Sequence, residues 1–287
     1  MGQFSILNNI SALNAQNQLN LNNVNLSRTL ERLSSGKRIN SGADDAAGLQ
    51  IADSLNANTL ALDQAVRNAN DGISVSQIAD GALQQITNLL TRGVTLAEEA
   101  ATGTVDSTGK TALNNELTQI QSEIARIAQQ TNYNGTGIFT TGATNINGSL
   151  SVYVGDISQV SSISVTISSI GVNGTNQVTN LGGANLSGLD LTTANGPSSA
   201  LTTLKDAIND VSTMRADIGA GINRLQSAVA VLQTQSQNTQ AAESNIRDAN
   251  IAAEVANLTK FQILAQTGMA ALAQANSSSQ AVLNLLK

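Results

Sequence analysis

Few side chains in this 287-residue sequence could do covalent or metal chemistry, because it holds no cysteine and no histidine. That composition excludes thiol nucleophiles, disulfides, thiolate and imidazole metal sites, and the commonest general base. The nearest thing to a reactive constellation is the acidic pair Asp44-Asp45. Adjacent carboxylates can ligate a hard cation. Here, however, the pair stands directly before a long apolar-periodic segment, and Ser41 and Asp44 have the spacing of a capping box, with Asp where Glu or Gln is usual. Both acids also lie at the positive end of the following helix dipole. Helix capping is the better reading, and no catalytic residue, cofactor or metal is expected.

The functional residues must therefore be sought in surfaces that touch other chains, and the two ends of the sequence carry the signal. No residue from Met1 to Ser27 is charged, and none lies between Lys260 and Lys287. Ile251, Val255, Leu258, Ala265, Met269 and Leu272 recur at alternating steps of four and three, and Leu283 and Leu286 resume the phase. At the other end Ala12, Leu19, Leu26, Leu30 and Leu33 share one helical face, interrupted by Gln16 and Asn23. Such seams belong to helices that lie along other helices. Polar amides in a seam reduce what a single pair gains from folding, so both ends are expected to be disordered in an isolated chain and to order when copies pack together.

Between the ends the chain is mostly helical. Ser34 to Gly42 is a connector, and a helical pattern runs from Ala46 to about Ala101, with a kink or phase shift expected near Gly72. Leu113, Leu117, Ile120, Ile124 and Ile127 predict a shorter helix that folds back on the long one. Then the period changes to two: Leu150, Val152 and Val154, and again Ile163, Val165 and Ile167, alternate with polar residues, and Asn-Gly pairs supply turns. Residues 171–197, rich in Gly, Asn, Thr and Ser, are expected to be exposed and irregular. Leu201, Leu204, Ile208, Val211, Ile218, Ile222, Leu225, Val229 and Leu232 restore the helical alternation, which lapses over Gln233 to Gln240 and re-enters at Ile246.

The fold class predicted is mainly α: a long antiparallel bundle or coiled coil formed by both chain ends, with a small β-hairpin region mid-chain. The expected domains are 1–43 with 244–287 as a terminal coiled-coil core, and 44–243 as a rod in which 140–197 is a short, variable, exposed region. With aromatics at 2% and no Trp, Leu, Ile, Val and Ala must fill the core, which suits helices packed side by side. The net charge of −6 and the lack of a basic stripe argue against nucleic acid as a partner. No window approaches the ~18 to 20 apolar residues needed to span a bilayer, and the N-terminus lacks the basic head and apolar run of a secretory signal. These absences read first as a cytoplasmic protein, and the cysteine-free composition leaves export by an unprocessed route open. Uncharged amide faces let identical copies pack closely without burying unpaired ions, and repeated heterologous contacts give a helical filament.

Several ordered motifs support that reading: residues 33–49 (LSSGKRINSGADDAAGL), 69–74 (ANDGIS), 80–83 (DGAL), 131–135 (TNYNG), Arg215-Ala216 with Gly219-Ala220 and Asn223-Arg224-Leu225, and 262–266 (QILAQ) running to 280–283 (QAVL). In these the sequence resembles bacterial flagellin over about 1–139 and 201–287, in a short form without large outer domains. The resemblance implies a structural, non-enzymatic subunit, exported unfolded and uncleaved, assembled at the filament tip and secreted into the extracellular flagellum. It implies as partners many copies of the same chain, a filament cap, hook-filament junction proteins and an export chaperone that holds the C-terminal segment. The assembly seam is assigned to Leu19, Leu26, Leu30, Leu33, Ile251, Val255, Leu258, Met269, Leu272, Leu283 and Leu286.

Arg92, Leu96 and Glu116 match the cluster that the vertebrate innate flagellin receptor reads, although Gly93 and Thr95 depart from it. Ser279-Gln280 also stands where the family commonly has Pro-Gln. The alternative readings are a hook-filament junction protein, which shares the terminal helices, and a secreted helical translocator or adhesin.

Overall fold

The computed structural model describes residues 9–140, 146, 148–156, 161–173 and 177–284, with side chains as far as residue 278. The chain divides into two compact units, one of residues 1–57 with 238–287 and one of residues 58–237.

In the first unit, α1 (Ile10–Ser35) starts where the Asn9 side chain accepts a hydrogen bond from the Ala12 amide at 3.0 Å, and it stops at Gly36, whose φ of 70° is left-handed. It pairs with α5 (Ile251–Asn284). The pair is antiparallel: Asn9 Nδ2 donates to the Ala275 carbonyl at 2.9 Å near one end, and Arg32 approaches Glu254 at 3.7 Å near the other. The unit also holds the first turns of α2 (Ala46–Ala101) and the last turns of α4 (Gly196–Arg247). There Arg247 pairs with Asp53 at 3.0 Å, and Asn56 donates to Glu243 at 3.3 Å.

The position of the break between α4 and α5 differs from expectation. The polar run from Gln233 to Gln240 stays helical, because Leu232 and Ser236 keep the buried phase and the Ser236 hydroxyl donates to Asp63 at 2.9 Å. The chain leaves the helix only at Asp248–Asn250, where Asn250 caps α5 by accepting from the Ala253 amide. This break is stitched to the α1–α2 connector: the Ala249 amide donates to Gly36 at 2.9 Å, and the Arg38 amide to Arg247 at 2.6 Å.

The second unit combines α2, α3 (Ser107–Gln130) and α4 with, among the described residues, three two-stranded antiparallel ribbons. β1 (Asn132–Tyr133) and β2 (Thr136–Gly137) are joined through Asn134 and Gly135, both at positive φ, as an Asn-Gly hairpin turn requires. β3 (Gly148–Tyr153) pairs with β4 (Ser162–Ile167), placing Leu150 opposite Val165 and Val152 opposite Ile163. β5 (Ile170–Val172) pairs with β6 (Val178–Leu181).

The core contains Leu83, Ile86, Leu90 and Leu96 of α2, Leu117 and Ile124 of α3, Leu204, Val211 and Ile218 of α4, and Phe139. The buried stripe of α2 runs through Ala69, Gly72, Val75 and Ala79 without losing phase, so the helix is continuous where a phase shift was expected. Gly72 holds a seam position because Val152 fills the space its side chain would occupy. The segment 171–197 also departs from expectation. Val178, Leu181, Ala184, Leu186 and Leu191 are buried, since the ribbons bring them onto the helical core.

Candidate functional site

The first unit's paired helices carry the residues that the sequence singles out. In α1 one stripe of half-buried and buried positions runs through Ala12, Ala15, Leu19, Asn22, Leu26, Thr29 and Leu33, with Asn25 and Arg32 half-buried beside it. In α5 they are Glu254, Asn257, Leu258, Phe261, Ala265, Gly268, Leu272 and Ala275. Leaving Asn257 aside, both sets advance by alternating threes and fours, the pattern of knobs packed into holes. Gly268 has no side chain where Leu19 packs: a Cβ there would meet Leu19 Cδ1 at 3.3 Å.

Leu19, Leu26, Leu33, Leu258 and Leu272 thus face the partner helix, while Leu30, Ile251, Val255 and Met269 point away from it and are 45–55% exposed. The seam runs through Glu254, Phe261 and Gly268 where the sequence suggests Ile251, Val255 and Met269, and at Gly268 the missing side chain makes room for Leu19. Asn22 and Thr29, rather than Gln16 and Asn23, supply its polar layers. The side chain of Leu283 and all of Leu286 lie outside the described residues.

The outward side chains form the more consequential surface. Ile10, Leu13, Leu21 and Val24 of α1 and Ile263 and Leu264 of α5 are also exposed. Apolar residues scattered singly over a monomer are ordinary. So many on two paired helices that carry only Lys260 between Glu254 and Asn284 are the mark of a surface covered in an assembly. The sequence shows these residues, but only the paired geometry shows which way they face.

The charges of this unit gather beside the connectors. Arg32 lies 3.7 Å from both Asp44 and Glu254, and Arg247 spans Asp53 and Glu243. The acidic pair divides between α2 and the connector before it. Asp45 Oδ1 accepts from the Gly48 amide at 2.9 Å and so caps α2, while Asp44 Oδ2 accepts from the amides of Ser41 at 3.1 Å and Asn40 at 3.2 Å. Those backbone hydrogen bonds, Ser41 before Asn40, hold the Asp44 carboxyl below its ordinary pKa, and Arg32 adds to the effect. Among the described residues no three acidic side chains converge as metal ligands would, and no helix is long and apolar enough to cross a membrane.

In the second unit Arg92 forks onto Glu116 Oε1, with Nε at 2.9 Å and Nη2 at 2.7 Å, across the exposed surface of α2 and α3. Leu96, one turn on, is fully buried and presents no surface to a partner.

Geometry of this kind defines a scaffold protein, built to be packed against other chains. Residues 6–144 match the family described as the bacterial flagellin N-terminal helical region, and residues 201–286 match the bacterial flagellin C-terminal helical region. The chain belongs to the bacterial flagellin family. It is 35% identical over 290 residues to flagellin FlaB1 of Treponema pallidum, covering 98% of this chain and 99% of that one. It is 35% identical over 282 residues to a flagellin of Halalkalibacterium halodurans, with the same coverage. The crystal structure of Bacillus cereus flagellin is 28% identical, covers 62% of this chain and 94% of its own, and superposes with a TM-score of 0.49.

Proposed function

We propose that the chain is a structural subunit of a bacterial flagellar filament, non-enzymatic and working outside the cell. Family membership over nearly the whole chain supports this reading. The observation that carries it is the outward apolar side of the α1·α5 pair, Leu30, Ile251, Val255 and Met269 among others, which is stable in water only when covered. The inward residues Leu19, Leu26, Leu33, Leu258 and Leu272 hold the pair together, and the outward residues join it to neighbouring copies. The terminal segments make the core of the filament and the remaining helices its outer wall.

The wider partners follow from the family resemblance. The chain is exported unfolded, held beforehand by a chaperone on its C-terminal segment, and added beneath a cap on a filament that hook-filament junction proteins anchor. The exposed Arg92–Glu116 pair is the part of the receptor-like cluster open to an innate receptor. Seeded polymerisation of purified chain, followed by negative-stain microscopy, tests the central reading. Filaments of uniform diameter are expected, and a chain that stays monomeric with seeds present would overturn it.

A further inference from the structure

Both tyrosines of the chain line one groove in the second unit. With three Phe, two Tyr and no Trp in all, that convergence is informative. The groove measures about 450 Å³, within the range of small-molecule sites. Its floor is apolar, made by Val75, Leu150 and Val152, and Gly72 lets β3 lie close against α2. Tyr133 is half-buried on one wall, and Tyr153, at the end of β3, is 61% exposed. Asn68 donates to the Tyr153 carbonyl at 3.3 Å and ties down that strand end.

The polar lining decides the ligand. Asp71, Asn134 and Ser151 open onto the groove, and their side chains have no hydrogen-bond partner among the described residues. No Lys or Arg lines it, and Asp71 is its one acidic lining residue. A phosphate, sulfate or carboxylate would meet a like charge with no cation to offset it. A wholly apolar ligand would leave a carboxylate and an amide unpaired. A neutral sugar satisfies every group: its C–H face lies on an aromatic ring, adjacent hydroxyls donate to a carboxylate, and an amide bonds to either kind of partner. We propose that this groove binds a neutral mono- or disaccharide, with Tyr153 as the stacking platform and Asp71 as the acceptor for two neighbouring hydroxyls.

Saturation-transfer NMR on the full, unpolymerised chain tests this independently of filament formation. Lactose and N,N′-diacetylchitobiose serve as neutral probes and sialyllactose as the anionic one. Transfer to at least one neutral probe is expected, and binding roughly tenfold weaker in Tyr153→Ala and in Asp71→Ala. Both positions are exposed, so the variants should keep the wild-type circular dichroism and melting temperature. Equal binding of sialyllactose, indifference to both substitutions, or no transfer to either neutral probe would overturn the proposal. Absence of sugar binding together with burial of Tyr153 on polymerisation would identify the groove as a contact between copies instead.

Discussion

Val165 of β4 lies so close to Gly221 of α4 that a Cβ on the glycine would meet Val165 Cγ1 at 2.6 Å. Val152 stands in the same relation to Gly72 of α2, also at 2.6 Å. The β3–β4 ribbon is therefore docked on both long helices through two glycines, each a hole for a valine of the ribbon.

Alanine at Gly221 should cost about 1–3 kcal/mol, since Val165 is stiff and its Cβ also lies only 3.1 Å away. Gly219, two residues earlier in the same helix, has nothing within 4 Å of the added methyl, and alanine there should stabilise by about 0.5–1 kcal/mol. Thermal melts of the two variants should shift in opposite directions. Equal shifts would show that helix propensity, rather than the ribbon contact, governs these sites.

The inward and outward faces of α5 should separate on mutation. Leu258→Asp puts a charge in the seam with α1 and should cost about 2–3 kcal/mol, lowering helicity by roughly the length of the terminal pair. Met269→Asp puts the charge outside the pair, so helicity should hold while sedimentable filament disappears. Filament at wild-type yield from Met269→Asp would sink the outward face as an assembly surface.

A related expectation concerns cleavage. The large apolar side chains of the α1·α5 pair are at best half-buried, so its opening energy is low. Trypsin acting on unpolymerised chain should remove both ends by cutting after Arg38 and Arg247 in the connectors, leaving a fragment near residues 39–247, and polymerisation should protect them. Terminal segments surviving intact in the monomer would mean that the pair is stable without neighbours.

How much of this was legible in the sequence depended on which physical signal each element uses. Apolar spacing located α2, α3 and the β3–β4 ribbon, because Leu, Ile and Val at fixed steps report burial directly. It misplaced part of the terminal seam, since Gly268, Asn22 and Thr29 hold seam positions that hydropathy does not register. The break before α5 was missed for another reason: Asp248–Asn250 is fixed by hydrogen bonds to Gly36 and from Arg38, more than 200 residues away. The buried ribbon β5–β6 was hidden by its turn-rich composition, in which isolated apolar residues such as Val178 and Leu186 become core only once the hairpin has formed. Capping by the acidic pair was readable because a cap is local, but the residue differs: Asp45 caps α2, while Asp44, expected to form a capping box with Ser41, turns back onto the connector amides.

That local device gives the connector a pH dependence. Hydrogen bonds from the backbone of Ser41 and Asn40 hold the Asp44 carboxyl below its ordinary value. A carboxylate depressed in the folded state stabilises the fold fully above its unfolded pKa, about 4, and loses that contribution as pH falls through the folded value. Asp44→Asn should therefore melt below wild type at neutral pH, with the α1–α2 connector the first region to exchange its amides. As pH drops, wild type loses the ionised acceptor and the two melting curves should converge, while at higher pH the gap should stay constant because the carboxylate is already fully ionised. Melting temperatures measured in parallel across the acid range decide the matter: a gap of the same size at every pH would mean that Asp44 acts through shape alone and that its charge contributes nothing to the connector.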